Sequence, residues 1–220
     1  KIIDDGLKNN YVKEFGSFSP LRFRGFPNMR NFLLKLSQDI NVLQNYKVNE
    51  FKKYNDKINV LDEKTKTWSI FDGVISTIPA PQNLKLMDDF PVLKQSLETA
   101  SYNACLALMF YFDQKPLNVP TYFDLYDKDN VLSWMAAGSD IKFWTAHTKG
   151  SYSNLNLDKN KSLIKNEILH SIKNCFFPYK NISNINFSSL HVWKYAKIKK
   201  IVVGEQIDPI SPIAIAGDFM

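Results

Sequence analysis

The sequence predicts a mixed α/β (α+β) fold, and three observations predict it. The apolar period switches between the helical repeat and strict alternation several times along the chain. Residues 41–78 read as a three-strand meander that runs into a short apolar strand. Residues 213–220 form a second short apolar strand that leads straight into Gly217 and Asp218. The chain has 220 residues and a mass of 25.4 kDa. That is room for one large domain or two small ones, with a true apolar core.

Residues 1–17 are polar with scattered apolar positions and read as the end of a helix. Residues 17–26 read as an extended segment carrying Phe18, Leu21, Phe23 and Phe26, closed by Gly25 and Pro27. A helix follows. Asn28 caps it, and Met29, Phe32, Leu33 and Leu36 fall at i, i+3, i+4 and i+7, so one stripe is expected to be buried. From residue 41 the period is two. Val42, Tyr46 and Val48 mark the first meander strand, Ile58 and Val60 the second, and Trp68 and Ile70 the third. The polar stretch 61–66 is the hairpin between the last two. Asp72 and Gly73 turn the chain into the strand 74–78, which Pro79 and Pro81 end.

A short helix is predicted over 82–87 and another over 92–100. Residues 105–112 are a continuous apolar run of strand length, and 131–137 and 142–148 are two strands joined by Gly138, Ser139 and Asp140. Leu163, Ile164, Ile168, Leu169 and Ile172 give the next helix its apolar positions. In the strand 190–196, His191, Trp193 and Tyr195 share one face, and Val192 and Lys194 the other. A last strand follows Pro212.

Hydrophobic residues make up 45% of the chain and charged residues 23%, as in ordinary globular proteins. The aromatic share of 14% suits an aromatic core or an aromatic-lined cavity. The net charge of +6 is spread over single lysines, and Lys194, Lys197, Lys199 and Lys200 are the densest group. No arginine-rich arm or basic stripe argues for nucleic acid. The lysine group suits a solvated surface, or an anionic small substrate. Cys105 and Cys175 lie in apolar surroundings without metal-ligand spacing, so no metal is expected and a reduced, cytoplasmic setting is. No apolar run reaches membrane-spanning length, and no signal-peptide pattern is present. The three histidines and the absence of a nucleophile elbow leave no hydrolase triad to argue. His147 points away from the Trp144 face and His170 sits among Ile and Leu, so both read as structural.

Six segments then follow one another in an informative order. They are LRFRGFPNMRNFLLKL at 21–36, FDGVISTIPAPQ at 71–82, YNACLALMFYF at 102–112, IKFWTAHT at 141–148, HVWKYA at 191–196 and IAIAGDFM at 213–220. The series resembles the bacterial renalase-like members of the flavin-containing amine oxidoreductase superfamily, over nearly the whole chain. The resemblance implies a partial FAD-binding domain containing the meander, formed by residues 27–85 and 197–220. It implies a mixed-sheet substrate-binding domain formed by 1–26 and 86–196. Two departures stand out. The family's Gly-x-Gly-x-x-Gly turn, whose helix amino terminus binds the FAD pyrophosphate, has no counterpart among these glycines. The family also continues past Gly-Asp into a helix beside the flavin. The resemblance therefore implies a chain trimmed at both ends, which by itself lacks the main phosphate cradle.

The implied roles follow residue by residue. Asp218 accepts hydroxyl donors of the ribityl chain, and Gly217 allows close backbone approach; the plain alternative is an exposed aspartate after a strand. Lys47 and Val48 pass the adenine, with backbone groups making the contacts. Thr77, Ile78 and Pro79 end a strand on the adenosine side, or simply turn the chain into a helix. His191, Trp193 and Tyr195, beside Trp144, wall a slot for a flat substrate, or form a buried aromatic cluster. The implied activity is FAD-dependent oxidation of a reduced nitrogen heterocycle, a dihydronicotinamide isomer related to NAD(P)H, with hydride passing to the flavin and oxygen reoxidising it. The alternatives are a protoporphyrinogen- or amine-oxidising relative, and a non-catalytic domain that binds a partner through the same sheet.

Overall fold

The computed structural model describes residues 1–14, 23–179 and 184–220. The expected apolar positions Phe18 and Leu21 lie outside the described residues. In chain order the elements begin with α1 (Ile2–Lys8), β1 (Val12–Glu14), β2 (Phe23–Gly25) and α2 (Met29–Leu36). The meander and its exit are β3 (Val48–Tyr54), β4 (Lys57–Asp62), β5 (Trp68–Phe71) and β6 (Val74–Ser76). Next come α3 (Ala80–Asn83), a 3-10 turn at Leu84–Leu86, α4 (Pro91–Glu98), β7 (Ser101–Phe112), β8 (Tyr122–Asp124), β9 (Leu132–Ala137) and β10 (Phe143–Thr148). The series closes with α5 (Gly150–Asn156), α6 (Lys161–Phe176), β11 (Ile185–Lys200) and β12 (Ile213–Ile215). The fold is mixed α/β, as the alternation of periods requires. No helix among the described residues is long and apolar enough to cross a membrane.

Two compact units divide the chain. The first is Lys1–Val42 with Leu106–Val192, and the second is Leu43–Cys105 with Trp193–Met220. Residues 27–42 thus fall in the first unit, and 86–105 and 193–196 in the second. The chain crosses between units after Val42, inside β7 and inside β11, and the last two crossings fall within continuous strands that composition does not mark.

In the first unit a sheet of order β11–β7–β10–β9–β8 carries the core, with β7–β10, β10–β9 and β9–β8 paired antiparallel. Strand alternation puts Trp144, Ala146 and Thr148 on the buried face of β10. Helix α6 covers that face with Ile164, Ile168, Ile172 and Phe176, spaced four apart as a helical stripe demands. Burying each such side chain stabilises the unit by about 1.5–3 kcal/mol. Asn160 caps the helix, its Oδ1 accepting from Ser162 N–H at 2.8 Å and Leu163 N–H at 3.4 Å.

Helix α2 starts where the sequence places it, with Asn28 Oδ1 accepting from Asn31 N–H at 3.1 Å. Its apolar stripe departs from expectation. Met29 and Leu33 are 55% and 59% exposed, and no residue of the helix is buried. Only Phe32 finds partial cover, beside the Tyr11 ring at 6.2 Å.

In the second unit the antiparallel meander β3–β4–β5 lies on a core of Phe51, Ile58, Val60, Phe90, Leu93 and Phe219. The first meander strand begins at Val48 rather than at Val42, which is exposed. Its inward residue is Phe51, and the turn after it uses Asn55 at φ +53°. Asparagine tolerates that left-handed conformation, which a tight hairpin needs. Strands β6 and β12 pair in parallel as a separate two-stranded sheet.

Candidate functional site

The parallel pair organises the site. Val74 pairs with Ile213, Ile75 with Ala214 and Ser76 with Ile215, so both strands end at one edge. Ala216 N–H donates to the Ser76 carbonyl at 3.0 Å and extends the pairing one residue beyond β12. From that edge β6 continues into Thr77, Ile78 and Pro79, and β12 into Gly217 and Asp218. Open α/β sheets bind ligands outside the carboxyl ends of such strands. The Pro79 carbonyl accepts from Gln82 and Asn83 N–H at 2.9 and 3.0 Å and opens α3. Ser76 Oγ donates to Asn83 Oδ1 at 2.8 Å, a buried bond that ties the end of β6 to that helix.

Asp218 is exposed, whereas Phe219 next to it is wholly buried in the second core. Val202 N–H donates to the Phe219 carbonyl at 2.6 Å. This anchor holds the turn and leaves the carboxylate outside. Gly217 has φ +156°, and a Cβ there would lie 2.6 Å from Phe219 Cε1. The glycine is therefore required by the phenyl ring it packs on, whatever approaches it from outside.

Asp218 has a partner that sequence reasoning missed. Ala80 N–H donates to Tyr102 Oη at 3.3 Å, and Tyr102 Oη donates to Asp218 Oδ1 at 3.3 Å. Burial first, and then the Asp218 charge, raise the phenol above its ordinary range, while the Ala80 N–H pulls it down. The phenol thus keeps its proton, and the bond to Asp218, at neutral pH. The Tyr195 ring meets Tyr102 edge-on, with centroids 5.8 Å apart and planes at 66°. Trp193 lies two residues earlier on the same strand face and is 54% exposed. His191 is exposed and belongs to the first unit.

Lys47 and Val48 lie at the open edge of the meander, since β3 is its outer strand. Lys47 N–H donates to Asp62 Oδ1 at 3.4 Å and its carbonyl accepts from Glu63 N–H at 2.7 Å, so both its peptide groups are engaged. Its ammonium pairs with the Glu63 carboxylate. In an antiparallel ladder the next residue faces the other way, which turns the N–H and C=O of Val48 outward. Of the two residues, Val48 has the backbone groups suited to a ligand. Asp62, 3% exposed, accepts from Lys64 N–H, Thr65 N–H and Thr65 Oγ as well as from Lys47. The Thr65 hydroxyl, followed by these backbone donors, holds its pKa below the usual carboxylate range against the opposing effect of burial.

Trp144 is not a pocket wall. It is 2% exposed, its Nε1 donates to the Ile141 carbonyl at 2.8 Å, and its ring packs against Phe110, Phe112, Phe123 and Phe176. The strand face that carries it is the one α6 covers. His147 lies on the opposite face, against the Trp134 ring at 4.3 Å, and burial lowers its pKa. His170 is exposed on α6 rather than packed among the apolar residues. Cys175 is half-buried and in no disulfide, and its thiol is pushed up to about 11 by burial, which disfavours the thiolate. Among the described residues no three His, Cys, Asp or Glu side chains gather as a metal site.

The structure thus brings Thr77, Pro79, Gly217 and Asp218 to one strand edge, with Tyr102 bonded to Asp218 and the Tyr195 ring against Tyr102. No family model matches the sequence. Solved structures do match the fold. A protein described as a protoporphyrinogen oxidase from Exiguobacterium matches with a TM-score of 0.64 at 12% identity, over 89% of this chain and 47% of that one. Cyclohexylamine oxidase from Brevibacterium oxydans matches at 0.60 and 10% identity, over 86% and 46%. A putrescine oxidase redesigned in its cofactor binding matches at 0.59 and 12%, over 89% and 48%. The fold is shared with these oxidoreductases. The chain spans about half the length of the solved structures it matches.

Proposed function

We propose that this chain is part of an FAD-dependent oxidoreductase of the renalase-like type, with its flavin contacts in the second unit. The observation that carries the reading is the position of Asp218. An exposed carboxylate sits at the carboxyl ends of two parallel strands, beside the turn that Thr77, Ile78 and Pro79 make after β6. The donor set there fits a polyhydroxyl chain. A carboxylate accepts from hydroxyls, and Asp218 Oδ2 takes no hydrogen bond among the described residues. The outward N–H and C=O of Val48 fit a planar base that offers one donor and one acceptor.

In this reading Asp218 orients the cofactor through its ribityl hydroxyls, and Val48 through the adenine. The chemistry FAD supplies is hydride acceptance from the substrate, with oxygen as the final electron acceptor. Trp193 and Tyr195 present flat apolar faces that stack a reduced nitrogen heterocycle, a dihydronicotinamide isomer related to NAD(P)H, and keep water from it. Neither Cys105 nor Cys175 is in a disulfide among the described residues, which suits a reduced cytoplasmic setting.

A second reading, an amine-oxidising relative, is favoured by the fold shared with the cyclohexylamine and putrescine oxidases. The test uses the full-length protein that carries this chain. Its visible absorption spectrum is expected to show bound flavin, and Asp218→Ala is expected to release most of it. Aerobic assays with dihydronicotinamide isomers and with primary amines then separate the two substrate classes. A colourless full-length protein that ignores added FAD overturns the oxidoreductase reading.

A further inference from the structure

We propose that Tyr102 is the positioning residue that sets the Asp218 carboxylate, by tying together the turns that follow β6 and β12. The inference rests on the flavin reading above. The direction of both hydrogen bonds follows from the donor inventory. Ala80 N–H can only donate, so the phenolic oxygen accepts in that 3.3 Å contact. The phenol carries a single proton, and Asp218 Oδ1 at 3.3 Å is the acceptor it meets. One carboxylate oxygen is held, and Oδ2 is left for an incoming hydroxyl.

The hydroxyl is delivered by a ring that is itself fixed. Tyr102 packs against the second core and meets Tyr195 edge-on. An exposed carboxylate on a turn otherwise samples several rotamers, and ordering it on binding weakens affinity. A bond already made to a rigid phenol removes part of that cost. The Ala80 contact adds a second effect. It links the turn after β6 to the turn after β12 through one side chain, so the Thr77–Pro79 backbone and the Asp218 carboxylate keep a constant separation.

The test is a double-mutant cycle on the full-length protein, stripped of flavin and titrated with FAD while its visible absorbance is followed. Tyr102→Phe keeps the ring and removes the hydroxyl. It is expected to weaken FAD binding roughly three- to tenfold, the range for the net contribution of one ordinary hydrogen bond. Asp218→Ala is expected to weaken binding further, and the double variant to be no weaker than Asp218→Ala alone, because the phenol acts through the carboxylate. A purely structural role for Tyr102 would instead multiply the two effects. Wild-type affinity in Tyr102→Phe, or multiplied effects in the double variant, overturns this inference and leaves the flavin reading standing. A wild-type protein that takes up no FAD overturns that reading, and this one with it.

Discussion

Two tryptophans at the residue scale contrast a packed side chain with an exposed one. Trp144 sits in an aromatic cluster with its indole N–H satisfied, whereas Trp193 is more than half exposed. Trp144→Ala is expected to destabilise the protein by about 3–5 kcal/mol in urea unfolding. Trp193→Ala is expected to stay within about 0.5 kcal/mol of wild type and to raise the KM for a flat substrate. Equal stability losses would remove the distinction. Gly217→Ala is a sharper probe, because its Cβ would strike the buried Phe219 ring. A loss of about 1–3 kcal/mol is expected, measured by thermal unfolding without flavin. An alanine variant as stable as wild type would show that the turn relaxes around the ring. Asp218 was legible in the sequence because a strand, a glycine and a carboxylate are contiguous. Tyr102 was not, since its partner lies 116 residues away and nothing local to 102–112 marks it.

Elements were legible where an apolar run or repeat marks them: the short β6 and β12 were read, whereas the 16-residue β11 was read only over 190–196. Helix α6 and strands β9 and β10 carry a full apolar repeat and were readable as such. Strands β1 and β8 are three residues each, too short for any period to show, and α5 is built from GSYSNLN, which has no apolar stripe. The meander was readable as a meander, but its first strand starts at Val48 because the hairpin at Asn55 sets the register and brings Phe51 inward. The second hairpin is held by Asp62, whose carboxylate gathers the Lys64 and Thr65 donors and also Lys47 N–H. Its pKa is lower in the folded state than in the unfolded chain. The stability it contributes is therefore present above the unfolded carboxylate pKa of about 3.9 and is lost as pH falls through the folded value. Urea midpoints are expected to drop as pH is lowered from about 5 towards 2, and Asp62→Asn to flatten part of that slope. An unchanged slope would mean that the cage does not discriminate between the charged and neutral carboxyl.

The molecule as a whole has two cores that share no residue, one under α6 and one under the meander. Composition hid this division, because the chain passes between units in the middle of β7 and β11. Every residue assigned here to the flavin belongs to the second unit, which gives the two-core arrangement a direct test. A ligand bound only to the folded state stabilises what must open to release it, by about 2.7 kcal/mol at a hundredfold excess over Kd. Local opening confines that stabilisation to the part of the protein that holds the ligand. Saturating FAD is therefore expected to slow amide exchange up to about a hundredfold at 46–51, 77–83 and 213–219. Amides of β9, β10 and α6 in the first unit are expected to exchange at their original rates. Hydrogen exchange read by mass spectrometry resolves these segments in one experiment. Equal slowing in both units would show that the long strands fuse the two cores into a single cooperative body. No slowing at 213–219 would show that the strand edge bearing Asp218 is not where the cofactor binds.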